Sequence, residues 1–239
     1  MKKVIMIVRW LLVLALFILV LSFTNSKHQQ QLVSLDKITI ELAKERFINQ
    51  EIVLAFMQEK EFNYDSVLLN QFQLHELERL LGYHPAIKNV EVFTDQNGTL
   101  NIDIIQRKAV VRIITKNKNY YLDEEAIVMP ISNYYTPRVL VVSGNVSEHH
   151  HQAIFDFVSI INESEFWKAQ ITQLHFINNE VILIPRVGEQ KIHFGQLTQV
   201  NEKLDNLYQF YKQAMPIKGW QTYSDISLKY NNQIVCTKK

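Results

Sequence analysis

Three groups of side chains in this 239-residue chain have the types and spacing that chemistry requires. Histidines 149–151 are potential metal ligands, residues 123–125 are consecutive carboxylates, and Cys236 is the single cysteine. Adjacent residues on a helix point about 100° apart, so three histidines in a row cannot converge on one ion. The carboxylates lie between two predicted strands, where a solvated turn is expected. We predict no metal site, no cofactor and no catalytic residue.

The remaining histidines, the cysteine and the sequence motifs do not indicate an enzyme either. His175 and His193 stand alone on predicted strands, and Cys236 lies on the predicted last strand without an evident activating base. The sequence contains no G-x-S-x-G, P-loop, H-E-x-x-H or dinucleotide-binding signature. With 25 basic and 24 acidic residues and no basic block, the chain shows no sign of nucleic-acid binding. We expect neither a nucleic acid nor a small-molecule substrate.

Residues 4–24 form an almost uninterrupted apolar segment that follows Lys2 and Lys3 and contains Arg9. A helix of about twenty residues spans roughly 30 Å, the thickness of a bilayer's hydrocarbon core. The segment therefore predicts a single transmembrane helix over 4–24. The positive-inside rule places residues 1–3 in the cytoplasm and the rest of the chain outside it. A cleaved signal peptide is the alternative, although the polar exit of the segment is not an A-x-A site.

Residues 33–107 have the pattern of a small α+β domain. Asn49 is a favourable N-cap for a helix, and Asn97-Gly98 favours a tight hairpin turn. The predicted elements are a strand over 35–41, a helix from residue 50, a helix over 74–81, and strands over 90–92 and 100–104. Their order is β-α-α-β-β.

Residues 108–239 are predicted to form a second, β-rich domain with flanking helices, which makes the whole extracytoplasmic part α+β. The predicted strands cover 110–115, 120–122, 127–129, 139–142, 171–177, 181–184 and 191–194. One helix is predicted after Ser147 and another over 198–214, and a last strand pair covers 223–230 and 233–237. The domain boundary falls near Arg107 or Lys108.

Several stretches together resemble the bacterial cell-division family FtsQ/DivIB. They are residues 84–92 (HPAIKNVEV), 98–110 (GTLNIDIIQRKAV), 120–123 (YYLD) with 129–130 (MP), 194–195 with 203–204, and 226–230 (ISLKY). Their order and spacing carry the resemblance, which covers nearly the whole part after the apolar segment. The chain departs from the family pattern at Gln106, where an acid is usual, at Ala109, where proline is usual, and at Ala126, where glycine is usual.

The resemblance implies a short cytoplasmic tail, one membrane helix, a POTRA domain over 33–107 and a β domain over 108–239. It implies a non-enzymatic, single-pass scaffold of the divisome in the bacterial inner membrane, at the division septum. The implied partners are FtsB-like and FtsL-like division proteins and other divisome components, through which the scaffold would help to control septal peptidoglycan synthesis.

The resemblance also implies that the last strands of the β domain receive a segment of an FtsB-like partner. A sheet edge offers unpaired backbone groups to an incoming strand, so strand addition fits this region. The predicted partner-binding residues are Tyr230, Asn231, Asn232, Gln233, Ile234 and Val235. The alternative is that this strand simply completes the sheet. In that case the aromatic helix over 204–211, which otherwise supplies a core face, is the next candidate.

Two rival functions remain open at this stage. A POTRA-containing chaperone or secretion component of outer-membrane assembly would need further POTRA repeats or a barrel. A membrane-tethered hydrolase would need a nucleophile with its base. The sequence shows neither pattern.

Overall fold

The computed structural model describes residues 2–29, 32–41, 47–64, 67–95, 97–231 and 233–239. The chain divides into two compact units, Met1–Gln106 and Arg107–Lys239. The elements of unit 1 are α1 (Lys2–Gln29), β1 (Ser34–Ile40), α2 (Gln50–Glu59), α3 (Leu74–Gly82), β2 (Ile87–Thr94) and β3 (Thr99–Gln106). Among the described residues of unit 1, three strands form a sheet in the order β1-β3-β2, with β1 parallel and β2 antiparallel to β3.

Helix α1 carries apolar side chains that are open to solvent. Its described side chains, at residue 6 and residues 8–20, are all exposed, with Trp10 at 69% and Leu19 at 67%. Among the described residues, however, no helix is found that is both long enough and apolar enough to cross a membrane. The structure therefore does not confirm the predicted membrane span over 4–24.

The core of unit 1 follows from the two-residue period of its strands and the helical period of α2 and α3. Alternate residues of β2 and β3 are buried, because successive strand residues face opposite sides of a sheet. Helix α3 packs on β2 and buries Leu77 and Leu81, one turn apart, while α2 buries Val53 and Met57. Each such side chain contributes about 1.5–3 kcal/mol when fully buried. The predicted N-cap is confirmed, since the side chain of Asn49 accepts a hydrogen bond from the N–H of Ile52 at 2.8 Å.

In the part of unit 2 that the structure describes, a large mixed sheet is combined with four α-helices. Its strands are β4 (Ala109–Ile114), β5 (Asn119–Asp123), β6 (Val128–Pro130), β7 (Leu140–Gly144), β8 (Ile171–Ile177), β9 (Glu180–Pro185), β10 (Lys191–Gly195), β11 (Tyr223–Ser227) and β12 (Val235–Lys238). Its helices are α4 (His151–Glu163), which follows a 3₁₀ turn over Glu148–His150, α5 (Glu165–Gln170), α6 (Val200–Gln213) and α7 (Met215–Lys218). The described strands of unit 2 form one sheet in the order β12-β11-β10-β9-β8-β7-β4-β5-β6.

The core of unit 2 lies between one face of this sheet and the helices. Alternate strand residues such as Val142, Leu174 and Leu183 join helix residues such as Phe157 and Leu207 in one buried cluster. The predicted core face of the aromatic helix is confirmed, because α6 buries residues 204, 207 and 211.

Some predicted boundaries were wrong. The predicted strand over 223–230 ends at Ser227, and the predicted strand over 233–237 begins only at Val235. The segment between the two strands is therefore longer than predicted, and Asn232 within it lies outside the described residues. The short helices α5 and α7 were not predicted, because each is too short to show a helical period.

Candidate partner-binding edge

The sheet of unit 2 has β12 at one edge and β6 at the other, among the strands that the structure describes. An edge strand carries backbone N–H and C=O groups that have no neighbour within the sheet, and another strand can bind them. The direction of those groups therefore decides which edge can accept a partner.

Strand β12 is held on one face by the core. It pairs antiparallel with β11, and Cys236 lies opposite Ile226, which is fully buried. Ile234 and Cys236 are partly buried against the core cluster, whereas Val235 is 44% exposed on the other face. The edge is thus a strand whose side chains are anchored on one side and open to solvent on the other.

The backbone of β11 fixes the direction of the backbone of β12. The N–H of Leu228 donates to the C=O of His193 on β10 at 2.9 Å. Successive residues of a strand direct these groups to opposite sides, so the N–H and C=O of Ser227 face β12. Ser227 lies opposite Val235, and the backbone groups of Val235 therefore face inward.

The following residues of β12 continue this alternation. The N–H of Lys239 donates to the C=O of Thr222 at 3.2 Å, so residue 239 again faces inward. The backbone N–H and C=O groups of Cys236 and Lys238 consequently point away from β11. β12 presents donors and acceptors at alternate residues, which is the arrangement that an added strand requires.

The β6 edge is less suited to strand addition. The C=O of Ile127 accepts the N–H of Asp123 across the hairpin at 3.0 Å, so the backbone of residue 127 faces β5. By alternation, Val128 and Pro130 face outward. Proline has no N–H, and an outward proline is a common protection of edge strands. Within β6, Val128 alone presents an outward donor.

Five of the six predicted partner-binding residues are described, and they lie at or just before the β12 edge. Tyr230, Asn231, Gln233 and Ile234 belong to the connection before β12, Val235 begins the strand, and Asn232 lies outside the described residues. Tyr230 is 55% exposed. The prediction did not include residues 236–238, the rest of β12, because the family resemblance placed the partner segment over 230–235.

A shallow depression lies beside this connection and is lined by residues of α6 together with Tyr230 and Gln233. Lys203 of α6 is one of the lining residues, and its Nζ donates to the C=O of Phe194 at 3.1 Å and to the C=O of Gln196 at 2.9 Å. Burial lowers the pKa of Lys203, an effect that Glu180 partly opposes. Both carbonyls belong to the end of β10 and the residues after it, so the lysine ties α6 to the sheet beside the edge.

The histidines and the cysteine named in the sequence analysis lie in surroundings that fit a structural role. Among the described residues, no group of three or more His, Cys, Asp or Glu side chains is placed to hold a metal ion. Burial raises the pKa of the Cys236 thiol, which disfavours the reactive thiolate. Ser143 Oγ lies 2.8 Å from Nδ1 of His175, but no described carboxylate is hydrogen-bonded to that imidazole. His193 pairs instead with Asp225 at 2.7 Å.

The carboxylate run was only partly predicted. Glu124 and Glu125 are exposed, as expected of a turn, but Asp123 is 2% exposed at the end of β5. Its Oδ2 accepts a hydrogen bond from Nη1 of Arg107 at 2.5 Å, and its Oδ1 accepts the N–H groups of Glu125 and Ile127 at 2.9 and 2.8 Å. The expectation of a wholly solvated turn was wrong for this residue, because three donors converge on its carboxylate.

Comparison with known families gave two matches. Residues 108–237 match the sequence model of a family described as FtsQ/DivIB, C-terminal related. Residues 36–105 match that of a POTRA-like domain. A search of curated proteins found no match. The first match covers more than half of the chain, and the resemblance to the FtsQ/DivIB family is confirmed.

Proposed function

Because the chain belongs to the FtsQ/DivIB C-terminal-related family, we propose that it is a non-enzymatic scaffold of bacterial cell division that binds a partner segment by strand addition at β12. The observation that carries this proposal is the contrast between the two sheet edges. β12 directs the backbone groups of Cys236 and Lys238 outward, whereas β6 has Pro130 at an outward position. The incoming strand would extend the sheet by one member, with β12 as its neighbour.

The proposed partner is an extended segment of an FtsB-like protein, acting together with an FtsL-like protein at the septum. Two features of the edge support a segment of this kind. Ile234 and Cys236 are only partly buried against the core, so an added strand would cover them further. Val235 and Tyr230 are exposed beside them, and they would contact alternate side chains of the same segment.

We further propose that α1 anchors the chain in the bacterial inner membrane, with the N-terminus in the cytoplasm and both units outside it. The exposed apolar side chains of residues 10–20 support an apolar environment around the helix. The basic residues Lys2, Lys3 and Arg9 at its start support this orientation. N-terminal sequencing of the mature protein tests the anchor, and a start after residue 24 would contradict it.

Co-purification of the full chain with an FtsB-like protein tests the strand-addition site. Cys236→Pro removes an outward N–H without removing a bond to β11, and we expect it to abolish co-purification. Cys236→Ala keeps the N–H and should bind like the parent. Val128→Pro removes the outward donor of the other edge and serves as the matched control.

Circular dichroism and thermal unfolding establish that each variant is folded. A folded Cys236→Pro variant that co-purifies the partner like the parent would refute strand addition at β12. Capture of outer-membrane barrel proteins in place of division proteins would instead support the rival chaperone function.

A further inference from the structure

Unit 1 has a sheet edge of its own at strand β2. In the described sheet β2 lies at the end of the order β1-β3-β2, so one side of its backbone has no neighbouring strand there. The N–H of Asp95 donates to the C=O of Thr99 at 3.0 Å, so the backbone groups of residue 95 face β3. By alternation the backbone groups of Val90, Val92 and Thr94 face away from β3. The β2 edge thus presents outward donors and acceptors at alternate residues.

One of these outward donors is bound by a side chain. Oε2 of Glu78 accepts the N–H of Val92 at 3.4 Å. Glu78 belongs to helix α3, which packs on β2 and buries Leu77 and Leu81. Successive helix residues point about 100° apart, so the residue after Leu77 lies on the flank of the helix. The packing of α3 on β2 therefore brings a carboxylate to the edge of the sheet.

The two edges of the unit 1 sheet are covered in different ways. On the β1 side, Leu32 forms a bridge with Leu68, and the N–H of Val33 donates to the C=O of Val67 at 2.8 Å. Backbone from residues 67–68 therefore covers the residues that lead into β1. On the β2 side a carboxylate takes the place of a neighbouring backbone. A charged side chain at an edge opposes the addition of a strand, which would have to displace it from its donor.

A second copy of β2 is a strand that fits this edge. In a new antiparallel pair, outward residues must lie opposite outward residues. A two-fold axis at Val92 would pair it with Val92 of the second copy, and Val90 with Thr94. Glu91 would then lie opposite Phe93, which is 45% exposed, so no like charges would meet along the two strands. The edge is therefore self-complementary in its backbone register and in its side chains.

Glu78 opposes this pairing at its centre. Each copy would bring its own Glu78 to the two-fold axis, where both Val92 N–H groups are needed for the new strand bonds. Both carboxylates would have to leave, and their charges repel each other at short distance. We propose that Glu78 keeps the β2 edge closed, so that unit 1 does not pair with unit 1 of a second copy. This inference is independent of the partner that binds at β12.

Sedimentation of the full chain in a mild detergent, over a range of protein concentrations, measures the self-association. Glu78→Ala frees the N–H of Val92 and removes the repelling charges, so we expect the dimer dissociation constant to fall by about tenfold or more. A tenfold change corresponds to about 1.4 kcal/mol, or about half that for each displaced carboxylate. Glu76→Ala removes a charge from an exposed position of the same helix and should associate like the parent.

Further substitutions identify the edge that is involved. Thr94→Pro removes an outward N–H without removing a bond to β3, so it should reverse the association of the Glu78→Ala variant. Cys236→Pro changes the β12 edge of unit 2 and should leave that association unchanged. Circular dichroism establishes that each variant is folded. Glu78→Gln removes the charge with little change in size, and it should also associate more tightly than the parent.

The association of the Glu78 variants decides the proposal. If Glu78→Ala and Glu78→Gln are folded and associate no more tightly than the parent, Glu78 does not close the edge. Dimers that Cys236→Pro abolishes and Thr94→Pro does not would also overturn the proposal, because they would form through β12. Binding of an FtsB-like segment is tested separately by co-purification, so either result leaves the proposed function to its own experiment.

Discussion

The ion pair between Arg107 and Asp123 should be among the most important polar contacts of unit 2. Side-chain exposures of 16% for Arg107 and 3% for Asp123 show that Asp123 is buried and Arg107 is largely so. Asp123→Asn retains an oxygen for the N–H groups of Glu125 and Ile127 but sets an amide against the guanidinium. Removing one partner of a buried pair costs about 3–5 kcal/mol. Because Arg107 keeps some contact with water and with Glu125, we expect a loss of about 3 kcal/mol.

The neighbouring pair Lys108–Glu124 provides the matched control. Its atoms lie 3.0 Å apart, but the two side chains are 58% and 49% exposed. An exposed pair contributes about 0–1 kcal/mol, so Glu124→Gln should change stability little. The two substitutions each remove one carboxylate charge from the same turn, and they differ mainly in burial.

Urea unfolding of the full chain, followed by tryptophan fluorescence, measures both variants. Two of the three tryptophans, Trp167 and Trp220, lie in unit 2, so the signal reports mainly on that unit. A loss of about 3 kcal/mol corresponds to a fall in Tm of roughly 10 °C for a unit of this size. The reasoning is wrong if Asp123→Asn costs no more than Glu124→Gln.

Three further substitutions test the local geometry. Ala126 has a φ of 57°, so Ala126→Gly should stabilise unit 2 by about 0.5–1 kcal/mol in urea unfolding, and a loss of stability would contradict the strain. Asn49→Ala removes the cap of α2 and should cost about 1 kcal/mol, measured by thermal unfolding of the full chain, while Asn49→Ser should retain most of it. Gly144 has a φ of 96°, and a Cβ there would lie 2.2 Å from the C=O of Phe176. Gly144→Ala should therefore lower the yield of folded protein sharply, and normal expression with parental stability would count against the placement of β7.

Much of unit 1 could be predicted because its signals are local. The Asn49 cap, the leucine period of α3 and the Asn97-Gly98 turn each act within a few residues, and local pattern is sufficient to place them. The same holds for the order of the strands along the chain in unit 2.

The candidate edge could not be derived in the same way. Alternating apolar residues continue past Ser227, so the sequence pattern does not show where pairing stops. Which strand lies at an edge depends on the order of strands across the sheet, which no local period records. Arg107 and Asp123 are likewise far apart in sequence, and a carboxylate beside two others has the pattern of a solvated turn.

The strand order has a consequence for how each unit folds. From β8 to β12 every described strand of unit 2 lies beside the strand that precedes it in the chain, and β7 joins β4 beside a hairpin that is already complete. The sheet can grow by one strand at a time, and its strand pairings have smaller sequence separations than the pairing of β1 with β3 in unit 1. In unit 1, β3 lies between β1 and β2, and Ser34 of β1 pairs with Thr99. β1 can therefore pair only with a strand that is distant in the sequence. Closing the loop between β1 and β3 costs entropy, so we expect the smaller sheet to form more slowly than the larger one.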